Sequence, residues 1–446
     1  MSKSVVALAT PPGTSGLAII RISGSDAFDI LNKIFSSKSE IDFRKGNRIY
    51  YGKIIYQNEI IDTVTASIFV APHSYTGENT VEIGCHGNVL LANKIINIIV
   101  ESGAYFAEAG EFTKRAFLNG KIDLSQAEAI ADLIHSVSTS GITTAAKQLE
   151  GNFSLRLKIL RQQLLDISSL LELELDFAEE GLDFVQKSTI RKSILEASDF
   201  CRKLIDSYTA SEICRSGYYV GIAGYPNSGK STLFNSLLDR NRAIVSPIAG
   251  TTRDYLEESL YHNGNKVIIA DTAGIRDTVD TIEIEGIKFV ESVIEKSNLV
   301  IVLNDSCDSL NQSDKLAESI KSKYSDKEII IIQNKIDISK IVQTEYFGIS
   351  AKSGEGIIKL KNIIFEKAAD SINGLSDILI NNRHRQLLLN ADKYLNTALE
   401  SLDNDLENEI IAFDLRNSTK ILGELTGESW NEEVLTNIFS RFCIGK

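Results

Sequence analysis

The run Val220-Gly221-Ile222-Ala223-Gly224-Tyr225-Pro226-Asn227-Ser228-Gly229-Lys230-Ser231-Thr232 constrains this chain more than any other stretch. A strand-like apolar segment ends in G-x-x-x-x-G-K-S, and Leu233, Phe234, Leu237 and Leu238 follow at helical spacing. That is the strand, loop and helix context a phosphate-binding loop requires. The glycines let backbone N–H groups converge on phosphate at a helix N-terminus, Lys230 adds a point charge, and the Ser231 hydroxyl can hold Mg²⁺. The alternative, a Gly-rich turn before an ordinary helix, does not account for the Lys-Ser pair together with both flanks.

At 446 residues the chain exceeds one ordinary core, so two to four domains are expected. With 43% hydrophobic and 24% charged residues the composition is that of a soluble globular protein. A formal charge of −13, from 47 basic and 60 acidic residues, excludes a general basic field for gripping nucleic acid, so any RNA contact is local or supplied by a partner. The five cysteines (Cys85, Cys201, Cys214, Cys307 and Cys443) are scattered and without C-x-x-C spacing, which fits a reducing cytoplasm rather than a disulfide framework or zinc knuckle. Pro11-Pro12 interrupts the short N-terminal apolar run, so no signal peptide is expected, and no stretch reaches transmembrane length. Cys443-Ile444-Gly445-Lys446 has the outline of a prenylation box, but its final Lys is not a usual acceptor.

The first 120 residues read as mixed α/β. Val5 to Thr10 and Leu17 to Ile22 are strand-like, the second carrying Arg21, and Ser25 is expected to cap a helix with Phe28, Ile30, Leu31 and Ile34 as its apolar residues. Arg48 to Tyr56 and Ile60 to Val70 flank Gln57-Asn58-Glu59 as a hairpin, and Val81 to Cys85 precedes a helix from Val89 to Val100. Glu78, in the polar loop Ser74 to Asn79, reads on composition as a solvated turn residue, and His73 and His86 lack metal-like spacing. Beyond this region, Ser125-Gln126-Ala127-Glu128 is a capping-box pattern opening a helix. Phe153, Leu157, Leu160, Leu164, Ile167 and Leu171 recur in steps of four and three, as a bundle seam does. Ile190, Ile194, Ala197, Cys201, Leu204 and Tyr208 repeat the spacing, which makes Cys201 a core residue, and Glu172 to Asp183 reads as a solvated helix end. Helical character stops at Gly217 and returns at Arg383 to Leu402, 409 to 425 and from Trp430, so a helical domain is expected to be interrupted by an inserted one.

Within the insert, Lys266 to Ala270 is a buried-strand run ending in Asp271-Thr272-Ala273-Gly274, where Asp271 can hold Mg²⁺ through water and the Gly274 N–H can meet a γ-phosphate. Strands at Leu299 to Leu303 and Glu328 to Gln333 follow, and the second runs into Asn334-Lys335-Ile336-Asp337. An aspartate accepts from the guanine N1–H and 2-amino group together, a pair adenine does not present, so the nucleotide is GTP rather than ATP. Ser350-Ala351-Lys352 can complete the base pocket with a backbone N–H, and the loop Ser246 to Asp254 lies where a mobile switch belongs, with Thr252 chosen over Thr251 for Mg²⁺. Ras-like enzymes place a water-orienting Gln after the D-x-x-G glycine, whereas here that residue is Ile275, which cannot orient water. No obvious arginine finger is identifiable, since Arg253 and Arg276 are equally well read as exposed loop charges.

These motifs resemble one family over essentially the whole chain: the bacterial and organellar tRNA-modification GTPases of the MnmE (TrmE) type. The specific elements are the Leu17 to Gly24 run, Ser74 to Asn79, Glu111 to Leu124 and the terminal Phe442-Cys443-Ile444-Gly445-Lys446; Gly224 to Ser231, Gly250 to Asp254 and Asp271 to Gly274 agree with it. The resemblance implies a fold of α/β and all-α parts. An N-terminal α/β folate-binding and dimerisation domain (1–119) is followed by a discontinuous helical domain (120–215 and 374–446) and an inserted Ras-like P-loop G domain (216–373). It implies folate residues Arg21, Glu78, Lys121 and Lys446, facing a formyl-tetrahydrofolate. It also implies a K⁺ ion held by Asn227, Ser246, Ile248 and Thr251, and Glu283 as the catalytic residue that organises the attacking water. GTP contacts are expected from Asn227, Ser228, Gly229, Lys230, Ser231, Thr232, Ser246, Thr251, Thr252, Asp271, Thr272, Ala273, Gly274, Asn334, Lys335, Asp337, Ser350, Ala351 and Lys352. Mg²⁺ contacts are expected from Ser231 and Thr252. The chain departs from the family at Val245-Ser246-Pro247, where Val-Thr-Asp is usual, and Glu285 lies close to Glu283.

The implied function is a K⁺-activated GTP hydrolase that works in the cytoplasm as a homodimer, with a flavin-dependent partner protein in a heterotetramer. It would modify carbon 5 of the tRNA wobble uridine with an aminomethyl or carboxymethylaminomethyl group, drawing on the folate for one carbon. The rival from another class is a GTP-switched ribosome-assembly factor, which would be expected to carry an RNA-binding module such as a KH domain; the flanks offer no G-x-x-G loop in a suitable setting.

Overall fold

The computed structural model describes residues 3–176, 185–238, 257–271, 290–305, 311–338 and 346–446. By packing, the chain divides into two units: Met1–Ala131 with Ala146–Cys201 and Gln386–Lys446, and Asp132–Ala145 with Arg202–Arg385.

The first unit is built on a seven-stranded sheet of order β3-β4-β5-β6-β2-β1-β7. Its strands are β1 (Val5–Leu8), β2 (Ser15–Ser23), β3 (Phe35–Ser37), β4 (Arg48–Tyr56), β5 (Glu59–Phe69), β6 (Thr80–Gly87) and β7 (Tyr105–Phe106). Alternation of buried and exposed residues along β4 sends Tyr50, Gly52 and Ile54 inward, as a half-covered antiparallel strand demands. Gln57 and Asn58 both have positive φ (50° and 66°), the two-residue turn whose twist matches the flanking strands of the expected hairpin. Helices α1 (Ala27–Ile34) and α2 (Val89–Glu101) bury Ile30, Leu31, Ile95 and Ile99 in the core that also takes Ile20, Ile22, Ile68 and Ile83. Ser25 does not cap α1: its hydroxyl goes to Asp26, which is itself the N-cap residue and makes no side-chain cap bond.

The helices of this unit follow the bundle spacing. On α6 (Asn152–Asp176), Phe153, Leu157, Leu164, Ile167 and Leu171 are buried, and Arg161 and Ser168 donate to Thr419 and Ala412 carbonyls of α13 (Asn408–Thr426). Cys201 is fully buried, as a core residue should be. The expected capping box at the start of α4 (Leu124–His135) is displaced by two residues: Asp123 and Gln126 exchange side-chain and backbone bonds at 2.9 Å each, while Ser125 is buried against Ser154. Asp123 wins because it lies outside the first turn, where a cap must be, and Ser125 lies inside it.

The second unit carries a six-stranded sheet of order β13-β12-β11-β8-β10-β9. Strands β8 (Tyr218–Gly224), β10 (Asn265–Asp271), β11 (Leu299–Asp305), β12 (Glu328–Asn334) and β13 (Phe347–Gly348) pair in parallel, and β9 (Glu257–His262) joins antiparallel at the edge. Val220, Ile222, Val267, Ile269 and Leu299 to Leu303 are buried, the continuous apolar run of strands covered on both faces. The parallel order puts the ends of β8, β10, β11 and β12 on one edge, where ligands of open α/β sheets bind. This is the Ras-like part of a fold that combines α/β and all-α architecture.

Candidate functional site

The nucleotide loop leaves β8 at Gly224 and enters α9 (Lys230–Leu238). Asn227 takes the left-handed conformation (φ 64°), which asparagine tolerates better than most residues and which lets the loop close. Lys230 donates to the Gly224 and Tyr225 carbonyls at 2.9 and 3.0 Å, so its ammonium is held inside the loop. Burial pushes its pKa down, and nearby Asp271, itself buried at the end of β10, pushes it back up. Among the described residues the buried Ser228 hydroxyl has no hydrogen-bond partner, whereas Ser231 and Thr232 are exposed at the helix start. Such a loop offers an anion the free N–H groups of α9 and one cation.

The base-side residues join this loop directly. Asn334 donates to the Ser228 carbonyl at 2.8 Å and accepts from the Ala351 N–H at 3.0 Å, tying the loops after β8, β12 and β13 together. The Ala351 N–H is thus taken up by Asn334; the expected base contact was a backbone N–H from somewhere in Ser350-Ala351-Lys352. Ser350 is buried and forms a bridge with Glu355, Lys352 is exposed, and Asp337 stands exposed two residues beyond Lys335. Lys335 has positive φ (65°) and reaches the Asp305 carboxylate at 2.5 Å, a partner that sequence reading missed. Ser246, Ile248, Thr251, Thr252, Thr272, Ala273, Gly274, Ile275, Glu283 and Glu285 lie outside the described residues.

A second cluster lies in the first unit. Antiparallel register places Arg21 opposite Glu82, and Arg21 Nε and Nη2 both stand 2.8 Å from Glu82 Oε1. Its guanidinium lies 5.3 and 5.5 Å from the Tyr75 and Phe112 ring centroids, and Nη1 donates to the Gly445 carbonyl at 3.2 Å. The tail is seated by further bonds: the Gly110 and Phe112 N–H groups donate to the Cys443 and Lys446 carbonyls, and Ala109 bridges Ile444. Gly445 must be glycine here, since its φ is 99° and a Cβ would stand 2.1 Å from the Leu8 carbonyl. Lys446 is half-buried; loss of water, with Arg21 adding to it, holds its pKa below the usual lysine range.

Glu78 is not the solvated turn residue its loop suggested. It accepts from Ser23 at 2.8 Å and from Arg115 Nη1 at 2.9 Å, and both charged side chains are largely withdrawn from water. Lys121 donates to the Pro72 carbonyl at 3.0 Å and lies beside Gly77, so it belongs to the same loop. The four residues expected together are thus gathered around the 72–79 loop and the tail, with Arg115 and Glu82 as partners that the sequence did not announce. Arg115 carried a signal of one kind only, its i,i+4 spacing from Glu111, to which it also bonds.

Residues 4–121 match the family model of the GTP-binding protein TrmE N-terminus, and residues 124–443, well over half of the chain, match that of the MnmE helical domain. The chain belongs to the MnmE family. Relatives called tRNA modification GTPase MnmE include one from Christiangramia forsetii, 39% identical with 100% of both chains covered. Another, from Flavobacterium psychrophilum, is 41% identical with 99% of each covered. Solved structures similar to this chain include Era bound to MgGDPNP and 16S ribosomal RNA nucleotides (27% identity, 33% of this chain and 56% of that one, TM-score 0.27). The G domain of the T. maritima FeoB iron transporter is another (25%, 34% and 98%, TM-score 0.26). As an MnmE-family tRNA-modification GTPase, the chain binds and hydrolyses GTP. Among the described residues no helix is long and apolar enough to cross a membrane.

Proposed function

We propose that this chain is a K⁺-activated GTPase that modifies carbon 5 of the tRNA wobble uridine in the cytoplasm. It works as a homodimer joined through N-terminal α/β domains (1–119), with a flavin-dependent partner protein in a heterotetramer. The helical domain takes 120–215 and 374–446, and the inserted G domain 216–373. The product is of aminomethyl or carboxymethylaminomethyl type, and its one-carbon unit comes from formyl-tetrahydrofolate.

One observation carries this reading: Arg21, Glu78, Lys121 and Lys446, from four distant segments, gather around one loop and the seated tail. The donor set fits a folate. Glu78, oriented by Ser23 and Arg115, can accept from pterin N–H groups, and the half-buried Lys446 ammonium, poorly hydrated, can meet an anionic tail. Arg21 is committed to Glu82 and Gly445, so its part is to hold β2, β6 and the tail in place. When bound, the folate supplies the one-carbon unit; the chain's residues bind and orient it.

In the G domain, Asn227 to Thr232 cradle phosphate and Asn334, Lys335 and Asp337 face the base with Ser350 to Lys352. Ser231 and Thr252 would hold Mg²⁺, and the buried carboxylate of Asp271 would add negative charge to that site. Asn227, Ser246, Ile248 and Thr251 hold K⁺, and Glu283 orients the attacking water. Thr272, Ala273 and Gly274, next after Asp271 in the sequence, would complete the GTP contacts. Nucleoside analysis of tRNA from a strain lacking this gene tests the whole: loss of the wobble-uridine modification, restored by the gene, is expected. Intact modification with defective ribosomal particles would favour a ribosome-assembly factor.

A further inference from the structure

We propose that Asp305 is a positioning residue for guanine recognition and acts through Lys335. Parallel pairing of β11 and β12 puts Asp305 opposite Asn334, so the carboxylate at one strand end lies beside the start of the base loop. The next residue, Lys335, turns back in the left-handed region, and its Nζ meets Asp305 Oδ2 at 2.5 Å. The carboxylate is only 13% exposed and the lysine side chain 30%. A pair so placed differs from a surface ion pair, whose contribution solvent and side-chain freedom erase.

The placement has a chemical purpose. Asp337 reads the guanine N1–H and 2-amino group with its two oxygens, and it is exposed two residues along the same turn. An ammonium loose in that turn would compete for those oxygens. Asp305 gives the ammonium another carboxylate, at the end of the neighbouring strand. Asn334, buried beneath, anchors the same turn to the phosphate loop through Ser228. The inference adds a residue to the guanine site and rests on the GTPase assignment.

The test is a double-mutant cycle read by titration of fluorescent GDP into the full-length chain. The unmodified protein comes first: failure to bind GDP would sink the GTPase assignment itself, before Asp305 is questioned. Asp305→Asn keeps the shape and removes the charge; it is expected to weaken GDP about tenfold with an unchanged melting temperature. Asp305→Glu, which restores the charge, is expected to stay within about threefold of the parent. In a Lys335→Met background, Asp305→Asn should cost less than about twofold, because residues that act through one another are not additive. A side chain that only pins the end of β11 would lose the same factor in both backgrounds. Additive losses, an Asp305→Asn protein that binds GDP like the parent, or a Glu variant as weak as the Asn one each overturn the proposal.

Discussion

A lysine can be placed where it is needed at a cost to the fold, and Lys446 is such a residue. Burial and the neighbouring Arg21 lower its pKa, while Glu82 and Cys443 act the other way. The native state therefore holds this proton less tightly than the unfolded chain does. Below the folded pKa the penalty of the buried charge is fully present; it is relieved as pH rises from that pKa toward the unfolded value of 10.5. Lys446→Met should accordingly raise the urea midpoint of the first unit at pH 7, and its advantage should shrink toward pH 10. The same variant should lose folate affinity in calorimetry, since the cation is gone. A destabilised Met variant at pH 7 would show that the ammonium has partners strong enough to outweigh its burial. Residues of this kind are half legible. The sequence names Glu78 and Lys446 through likeness alone, because what surrounds them comes from far along the chain: Arg115 reaches Glu78 from the helix Glu111–Leu118, and Lys446 lies beside Arg21 and Glu82, which the β2–β6 register sets opposite each other.

Elements are legible where local chemistry decides them. Strands β8, β10, β11 and β12 were readable because parallel strands covered on both faces must be apolar throughout. The edge strand β9 was not, since most of it is exposed and it alternates poorly; yet Asn263-Gly264, both at positive φ, is the hairpin signal that joins it to β10. The phosphate loop shows a second kind of hidden constraint. Gly229 reads as a phosphate-approach glycine, but a Cβ there would stand 2.3 Å from Asn334 Nδ2, so the glycine also makes room for the base-loop anchor. With φ at 96° the substituted backbone is strained as well. Gly229→Ala is expected to abolish measurable GDP binding, and Asn334→Ala in the same background should not restore it, because the strained φ remains. Recovery in the double variant would show that the collision alone was at fault.

For the molecule as a whole, the question is how a G domain without a water-orienting glutamine after its D-x-x-G glycine hydrolyses GTP. Ile275 has no polar group, so both the orientation of water and the extra positive charge must come from elsewhere. Asn227 sits in the left-handed turn of the phosphate loop, a position that asparagine fills for conformational reasons with or without an ion. Conformation and ion binding separate under substitution. If the residue serves K⁺, exchange of K⁺ for Na⁺ at equal ionic strength should lower turnover at least tenfold, and Asn227→Ala should remove the difference between the ions. If it serves the turn alone, Asn227→Gly should keep full K⁺-dependent activity, since glycine takes positive φ freely. Glu283→Ala should lower turnover while nucleotide affinity stays nearly constant, because a group that orients water acts mainly in the transition state. Equal rates in the two ions for the unmodified protein would remove K⁺ from the mechanism, and a defect at Glu285 in place of Glu283 would move the catalytic role two residues along.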